Sequence, residues 1–115
     1  MSRRTERMES LIQVELGELI LKRIKDPRVG FVTITGVEVT PDLKSARVYY
    51  SVLGKEREKA EAGIGLEHAR GFLQHGIAEA LKLRFTPKLS FHLDESLEEG
   101  FRIDQILQDL NREDK

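Results

Sequence analysis

Apolar residues recur at spacings of three and four over the first part of the chain. Met8, Leu11, Ile12, Leu16, Leu19, Ile20 and Ile24 form one stripe, which predicts a helix from about Thr5 to Ile24 with one face on a core. Glu6 and Glu9 fall in its first turns and Lys22, Arg23 and Lys25 at its end, matching the helix dipole at both termini. Residues 1–4 are expected to be mobile, and Asp26-Pro27-Arg28 stops the helix because proline cannot continue the hydrogen-bond ladder. From Phe31 to Thr40 the period changes to two, in a run rich in β-branched residues. Val32 and Ile34 share one parity and Val37 and Val39 the other, so a bulge is expected at Gly36. After a turn at Thr40-Pro41-Asp42-Leu43, Ala46, Val48, Tyr50 and Val52 alternate with Ser45, Arg47, Tyr49 and Ser51. The two runs predict an antiparallel hairpin with one solvated face.

Helical spacing returns at Leu66, Ala69, Leu73, Ile77, Ala80 and Leu81. Gly63, Gly65, Gly71 and Gly76 run through this stretch, and each interior glycine costs about 0.8–1.0 kcal/mol relative to alanine. A helix interrupted at Ala69-Arg70-Gly71 is therefore expected, followed by a second helix ending among Lys82, Arg84 and Lys88 at Pro87. Leu89, Phe91 and Leu93 predict a third strand, and Phe101, Ile103, Ile106, Leu107 and Leu110 a short last helix over about 97–110. The order is α-β-β-α-α-β with a weak final α, an α+β domain with helices on one face of a small sheet. A single domain is expected over 1–110, followed by an acidic tail over 111–115.

Composition narrows the chemistry. Cysteine is absent, so disulfides and thiolate metal sites are excluded and a reducing compartment fits. No apolar run approaches membrane-spanning length, and a cytoplasmic protein without membrane contact is expected. The net charge of −1 conceals a division: residues 94–115 carry a net −5 and residues 1–93 a net +4. A basic body suits a phosphate-binding surface, although a few surplus cations are common on solvated surfaces. Aromatic residues are few, which argues against a broad base-stacking platform.

In this order, with Ala-x-Gly between the second and third helices, the sequence resembles the bacterial ribosome-binding factor A family over about Arg4 to Leu110. The resemblance rests on Asp26-Pro27-Arg28, on Thr33-Ile34-Thr35 followed by Val37 and Val39, and on Asp42-Leu43 leading to Ala46 and Val48-Tyr49. It continues through Ala69-Arg70-Gly71-Phe72, Leu83-Arg84-Phe85-Thr86-Pro87, Leu89-Ser90-Phe91 and Asp94-Glu95-Ser96. It implies a type II KH-like fold in which an interhelical kink replaces the Gly-x-x-Gly loop that clamps nucleotide backbone in ordinary KH domains. Gly63-Ile64-Gly65 is Gly-x-Gly and lies before the expected kink. The resemblance also implies binding to the 30S subunit and its 16S rRNA near the 5′-terminal helix region, during late maturation and rRNA processing, without catalysis. At the kink's downstream flank this chain has Phe72-Leu73-Gln74, where members of the family often carry a base at the last position.

The candidate RNA contacts are Arg3, Arg4, Arg7, Lys25, Arg28, Arg70, Gly71, Lys82, Arg84 and Lys88. Arg70 either reaches phosphate from the kink or is an ordinary exposed arginine, and Gly71 either marks the kink or packs helices together. The cluster at Arg3, Arg4 and Arg7 is a basic arm or a solubilising terminus. Lys25 and Arg28 flank one turn and Lys82, Arg84 and Lys88 another, as phosphate contacts that position without reading sequence or as surface charge. Tyr49 is open to base stacking or cross-strand packing. His68 and His75 stand about 10.5 Å apart along a helix, too far to share one metal. Asp94, Glu95, Glu98 and Glu99 have no nucleophile, phosphate loop or positioned histidine beside them, so capping acids explain them better than a catalytic set. No cofactor, metal or small-molecule ligand is expected, and nothing in the sequence requires more than a monomer. A protein-interaction adaptor using the sheet edge or acidic tail is the alternative to RNA binding.

Overall fold

The computed structural model describes residues 3–95. The expected last helix and the acidic tail lie outside them. Helix α1 spans Arg3–Arg23 and buries Thr5, Ile12, Leu16 and Ile20. It begins two residues earlier than expected, so Arg3 and Arg4 belong to its first turn rather than to a mobile arm. Leu11, assigned to the core stripe by spacing, is 44% exposed. A 3-10 turn over Pro27–Val29 follows, capped by Asp26, whose carboxylate accepts from the Arg28 backbone N at 2.9 Å.

Strands β1 (Val32–Val39) and β2 (Ser45–Val52) form the expected antiparallel hairpin. The register shifts between Ile34, opposite Tyr50, and Gly36, opposite Tyr49. Thr35 is thus the extra residue, one position before the expected bulge at Gly36. Its insertion resets the parity and brings Val32, Ile34, Val37 and Val39 to the same core. Strand β3 (Lys88–Leu93) pairs with β2 in parallel, giving the order β1-β2-β3 in a mixed sheet. A parallel neighbour requires a crossover between β2 and β3, and helix α2 (Glu56–Ala80) supplies it.

The expected interruption at Ala69-Arg70-Gly71 is corrected: residues 56–80 form one helix of 25 residues. Lys59, Ala62, Leu66, Leu73 and Ile77 are buried and Ala69 packs against the core, so one helical phase runs through the supposed break. A glycine lowers helix stability, but twenty-odd flanking residues packed on a core outweigh one such cost. Pro87 does not end α2 either. Lys82 adopts φ 53°, with its backbone N donating to Glu79 O at 3.3 Å and that of Leu83 to Ala78 O at 2.9 Å. These are the paired bonds of a Schellman motif, with lysine at the left-handed position that glycine usually fills.

The core joins Ile12, Leu16 and Ile20 of α1, Leu66, Leu73 and Ile77 of α2, and Val37, Val39, Ala46, Val48, Tyr50 and Leu89 of the sheet. Side chains of α1 also serve β1, an edge strand: Gln13 Nε2 donates to Ile34 O at 3.3 Å, and the Val39 backbone N donates to Glu9 Oε2 at 3.0 Å. These contacts occupy backbone groups that would otherwise invite another strand.

Candidate nucleic-acid interface

The chain brings three separate segments together at one end of the molecule. The first is the opening of α1, with Arg4 and Met8. The second is the β1–β2 turn, built around Thr40. Its hydroxyl donates to Asp42 Oδ1 at 2.7 Å and accepts from the Ser45 backbone N at 3.1 Å, while Asp42 Oδ1 accepts from the Lys44 backbone N at 3.0 Å. The Thr40 hydroxyl, followed by the Lys44 amide, holds the Asp42 carboxyl below its ordinary value. Leu43 takes φ 61° here, a conformation that costs a non-glycine residue energy. The third segment runs from the α2 cap through Leu83, Arg84, Phe85, Thr86 and Pro87. The backbone N of Lys88 donates to Lys44 O at 2.8 Å and ties it to the turn.

Between these segments lies an open groove of about 680 Å³. Met8, Leu43, Leu83, Phe85 and Pro87 supply its apolar lining, and Arg4, Lys44 and Arg84 stand on it as cations beside Asp42. Arg4 and Arg84, about eighty residues apart in sequence, therefore share one site. Lys82 and Lys88 belong to the same segment as Arg84, and Arg3 and Arg7 are exposed on the same helix end as Arg4.

The other candidates lie elsewhere. Lys25 follows the opposite end of α1, whose 21 residues span about 30 Å. Arg28 is held by Asp26: its Nε donates to both carboxylate oxygens at 3.0 Å and its terminal nitrogen to Oδ2 at 2.6 Å. That guanidinium, with the Arg28 amide, keeps the Asp26 carboxyl down at about 2. Its terminal nitrogen also lies 3.3 Å from His68 Nδ1. Arg70 pairs with Glu67 across one helical turn at 3.4 Å, and a Cβ on Gly71 would meet nothing within 4 Å. Gly71 is therefore neither a break nor a point of close helix packing. A Cβ on Gly76, by contrast, would come 2.9 Å from Leu19 Cδ1 of α1.

Tyr49 packs across the sheet against His92, with ring centroids 5.7 Å apart, and its hydroxyl donates to Glu38. Asp94 accepts from Thr35 Oγ1 at 2.8 Å; Glu98 and Glu99 lie outside the described residues. Among the described residues no helix is long and apolar enough to cross a membrane.

Sequence reasoning singles out neither Lys44 nor Phe85. Lys44 sits at a strand start where any polar residue is ordinary. Phe85 offers no periodic signal, and its 80% exposure is visible only once the loop is placed.

Comparison with known proteins bears on this geometry. The fold is similar to the crystal structure of ribosome-binding factor A from Thermus thermophilus, with 25% identity and a TM-score of 0.68, over 77% of this chain and 94% of that one. A Thermotoga maritima protein described as a ribosome binding factor A, solved by solution NMR, is 37% identical with a TM-score of 0.73, over 84% of this chain and 92% of its own. Coordinates of the T. thermophilus protein fitted into a cryo-electron microscopy map of its 30S complex match with 25% identity and a TM-score of 0.66, over 77% and 93% of the two chains. The α+β arrangement, with a three-stranded sheet under two helices, is consistent with the type II KH-like fold. The family model for ribosome-binding factor A matches residues 4–107, and the chain belongs to that family.

Proposed function

We propose that this protein is a non-catalytic assembly factor that binds the free 30S ribosomal subunit through its 16S rRNA. It acts in late maturation and rRNA processing, near the 5′-terminal helix region. The observation that carries this reading is membership of a family whose T. thermophilus protein, similar to 77% of this chain, has been fitted into a 30S complex. The end of the molecule bearing Arg3, Arg4, Arg7, Lys44, Lys82, Arg84 and Lys88 supports it with a concentration of cations suited to phosphate. Arg28 and Arg70 are the weaker candidates, since each is engaged by a neighbouring carboxylate. Binding stabilises one arrangement of the maturing rRNA, and a later arrangement that excludes the site releases the factor. The protein acts as a monomer in the cytoplasm.

The test is co-sedimentation with free 30S particles and with 70S ribosomes across a salt series. Selective binding to 30S should weaken about 10³-fold from 50 to 200 mM salt for about six phosphate contacts. Equal recovery with 70S ribosomes, or a shallow salt dependence with binding to protein-only partners, would replace this reading with a protein adaptor.

A further inference from the structure

We infer that the groove between the start of α1, the β1–β2 turn and the α2–β3 segment holds one unpaired nucleotide of single-stranded RNA. The base lies against Phe85 and the apolar floor, and the adjoining phosphates lie on Arg4, Lys44 and Arg84. This rests on the RNA-binding reading above and names what this end of the molecule takes.

The groove combines two features that point to one ligand chemistry. Its volume of about 680 Å³ falls within the usual range of small-ligand sites, about 300–1,000 Å³. Its floor of Met8, Leu43, Leu83 and Pro87 carries no charge, and Phe85 stands beside it 80% exposed. An aromatic ring left in water next to an apolar trough is suited to stacking on another flat ring. The lining also carries three cations against one acid, and that acid already accepts from Thr40 and Lys44. A free phosphate would satisfy the cations and leave the floor wet. A neutral apolar ligand would do the reverse. A nucleotide supplies both parts in one molecule. A base inside an RNA duplex is stacked and cannot enter, so the nucleotide must be unpaired.

Backbone strain marks the same place. The two non-glycine residues with positive φ among the described residues are Leu43 and Lys82. Leu43 lines the groove and Lys82 immediately precedes Leu83, which also lines it. Such conformations persist where the surrounding structure enforces them, and they gather at binding sites. One exposed ring is enough here; the scarcity of aromatic residues excludes a platform for several bases but not a seat for one.

The test compares a short single-stranded oligoribonucleotide with an abasic oligomer carrying the same number of phosphates, both titrated against the full-length protein. The intact oligomer should bind more tightly. Phe85→Ala should lower its affinity about tenfold, leave the abasic oligomer unaffected and leave the salt slope unchanged, whereas Phe85→Tyr should bind as the parent does. Arg84→Gln should weaken both oligomers alike and reduce the salt slope by about one. Because Phe85 is so exposed, its substitution leaves the core intact. Equal binding of the two oligomers, indifference to Phe85→Ala, or displacement of the RNA only by an acidic aromatic peptide would each overturn the inference. Co-sedimentation distinguishes the two levels. A protein that pellets with 30S yet treats both oligomers alike loses this inference and keeps the broader one. A protein that does not pellet loses both.

Discussion

A Cβ built on Gly65 would lie 2.9 Å from Val29 Cγ1, with Arg28 Cβ at 3.3 Å behind it. Gly65 is where the turn after α1 presses on α2, and Val29 is only 2% exposed there. The lack of a side chain at Gly65 is what lets the turn pack this closely. Gly71, six residues on, faces open space in the same helix. The two should respond to alanine with opposite signs. Gly71→Ala should stabilise by about 0.5–1 kcal/mol through helix propensity. Gly65→Ala gains the same propensity but meets a stiff β-branched neighbour, and overpacking costs about 1–3 kcal/mol, so a net loss of about 1 kcal/mol is expected. Denaturant midpoints measure both. Stabilisation by Gly65→Ala would show that the turn can move away from α2. Gly71→Ala should also leave 30S binding unchanged.

Lys82 holds a conformation that costs an L-residue about 1–2 kcal/mol and costs glycine little. Lys82→Gly should therefore raise stability by about 1 kcal/mol even though it removes a charge and adds freedom to the unfolded chain. The thermal midpoint reads that effect. The salt slope of 30S binding, measured on the same variant, should fall by about one if the ammonium contacts phosphate.

Acid sensitivity should report the Asp26–Arg28 pair. The Asp26 carboxyl is depressed from 3.8 to about 2, chiefly by hydrogen bonds from the Arg28 side chain and then its backbone. A depressed carboxyl contributes stability above its unfolded value and loses it as pH falls through the folded value. The loss should thus run from about pH 4 down to about 2, with a smaller contribution from Asp42, also depressed. Asp26→Asn should reduce the pH dependence in that window while lowering stability at neutral pH. Parallel acid curves for parent and variant would mean that the pair contributes nothing to folding.

Arg84 and Arg70 should differ in the salt dependence of 30S binding. Arg84 is exposed at the groove with its charge on the lining, whereas Arg70 is already paired with Glu67. Arg84→Ala should reduce the slope by about one, and Arg70→Ala by distinctly less. A larger effect at Arg70 would move the phosphate-binding surface from the groove end to the middle of α2.

Much of the fold is legible in the sequence because it depends on local periods. The stripe from Met8 to Ile24 identifies α1, and the alternation from Ala46 to Val52 identifies β2 together with its buried face. The parity slip between Ile34 and Val37 announces the bulge, although only strand pairing places the extra residue at Thr35. The expected helix break fails because glycine content is a local penalty, whereas the continuity of α2 is enforced by burial along 25 residues of one face. The stop at Lys82 escapes a reading of the sequence because a left-handed lysine leaves no compositional trace.

Of the candidate site, the sequence supplies the cations and the family resemblance but not their grouping. Arg4 and Arg84 meet because β3 runs parallel to β2, which carries the α2–β3 segment back to the end where α1 begins. Arg28 and Arg70 drop behind because carboxylates stand within ion-pair distance of each. Hydrophobic period and turn chemistry are properties of neighbours along the chain, so the amino-acid order alone identifies α1, the hairpin, β3 and most of their buried positions, but not the continuity of α2 or where it stops. Proximity between distant segments and the pairing of charges arise only when those elements pack, and the groove with its three cations is a product of that packing.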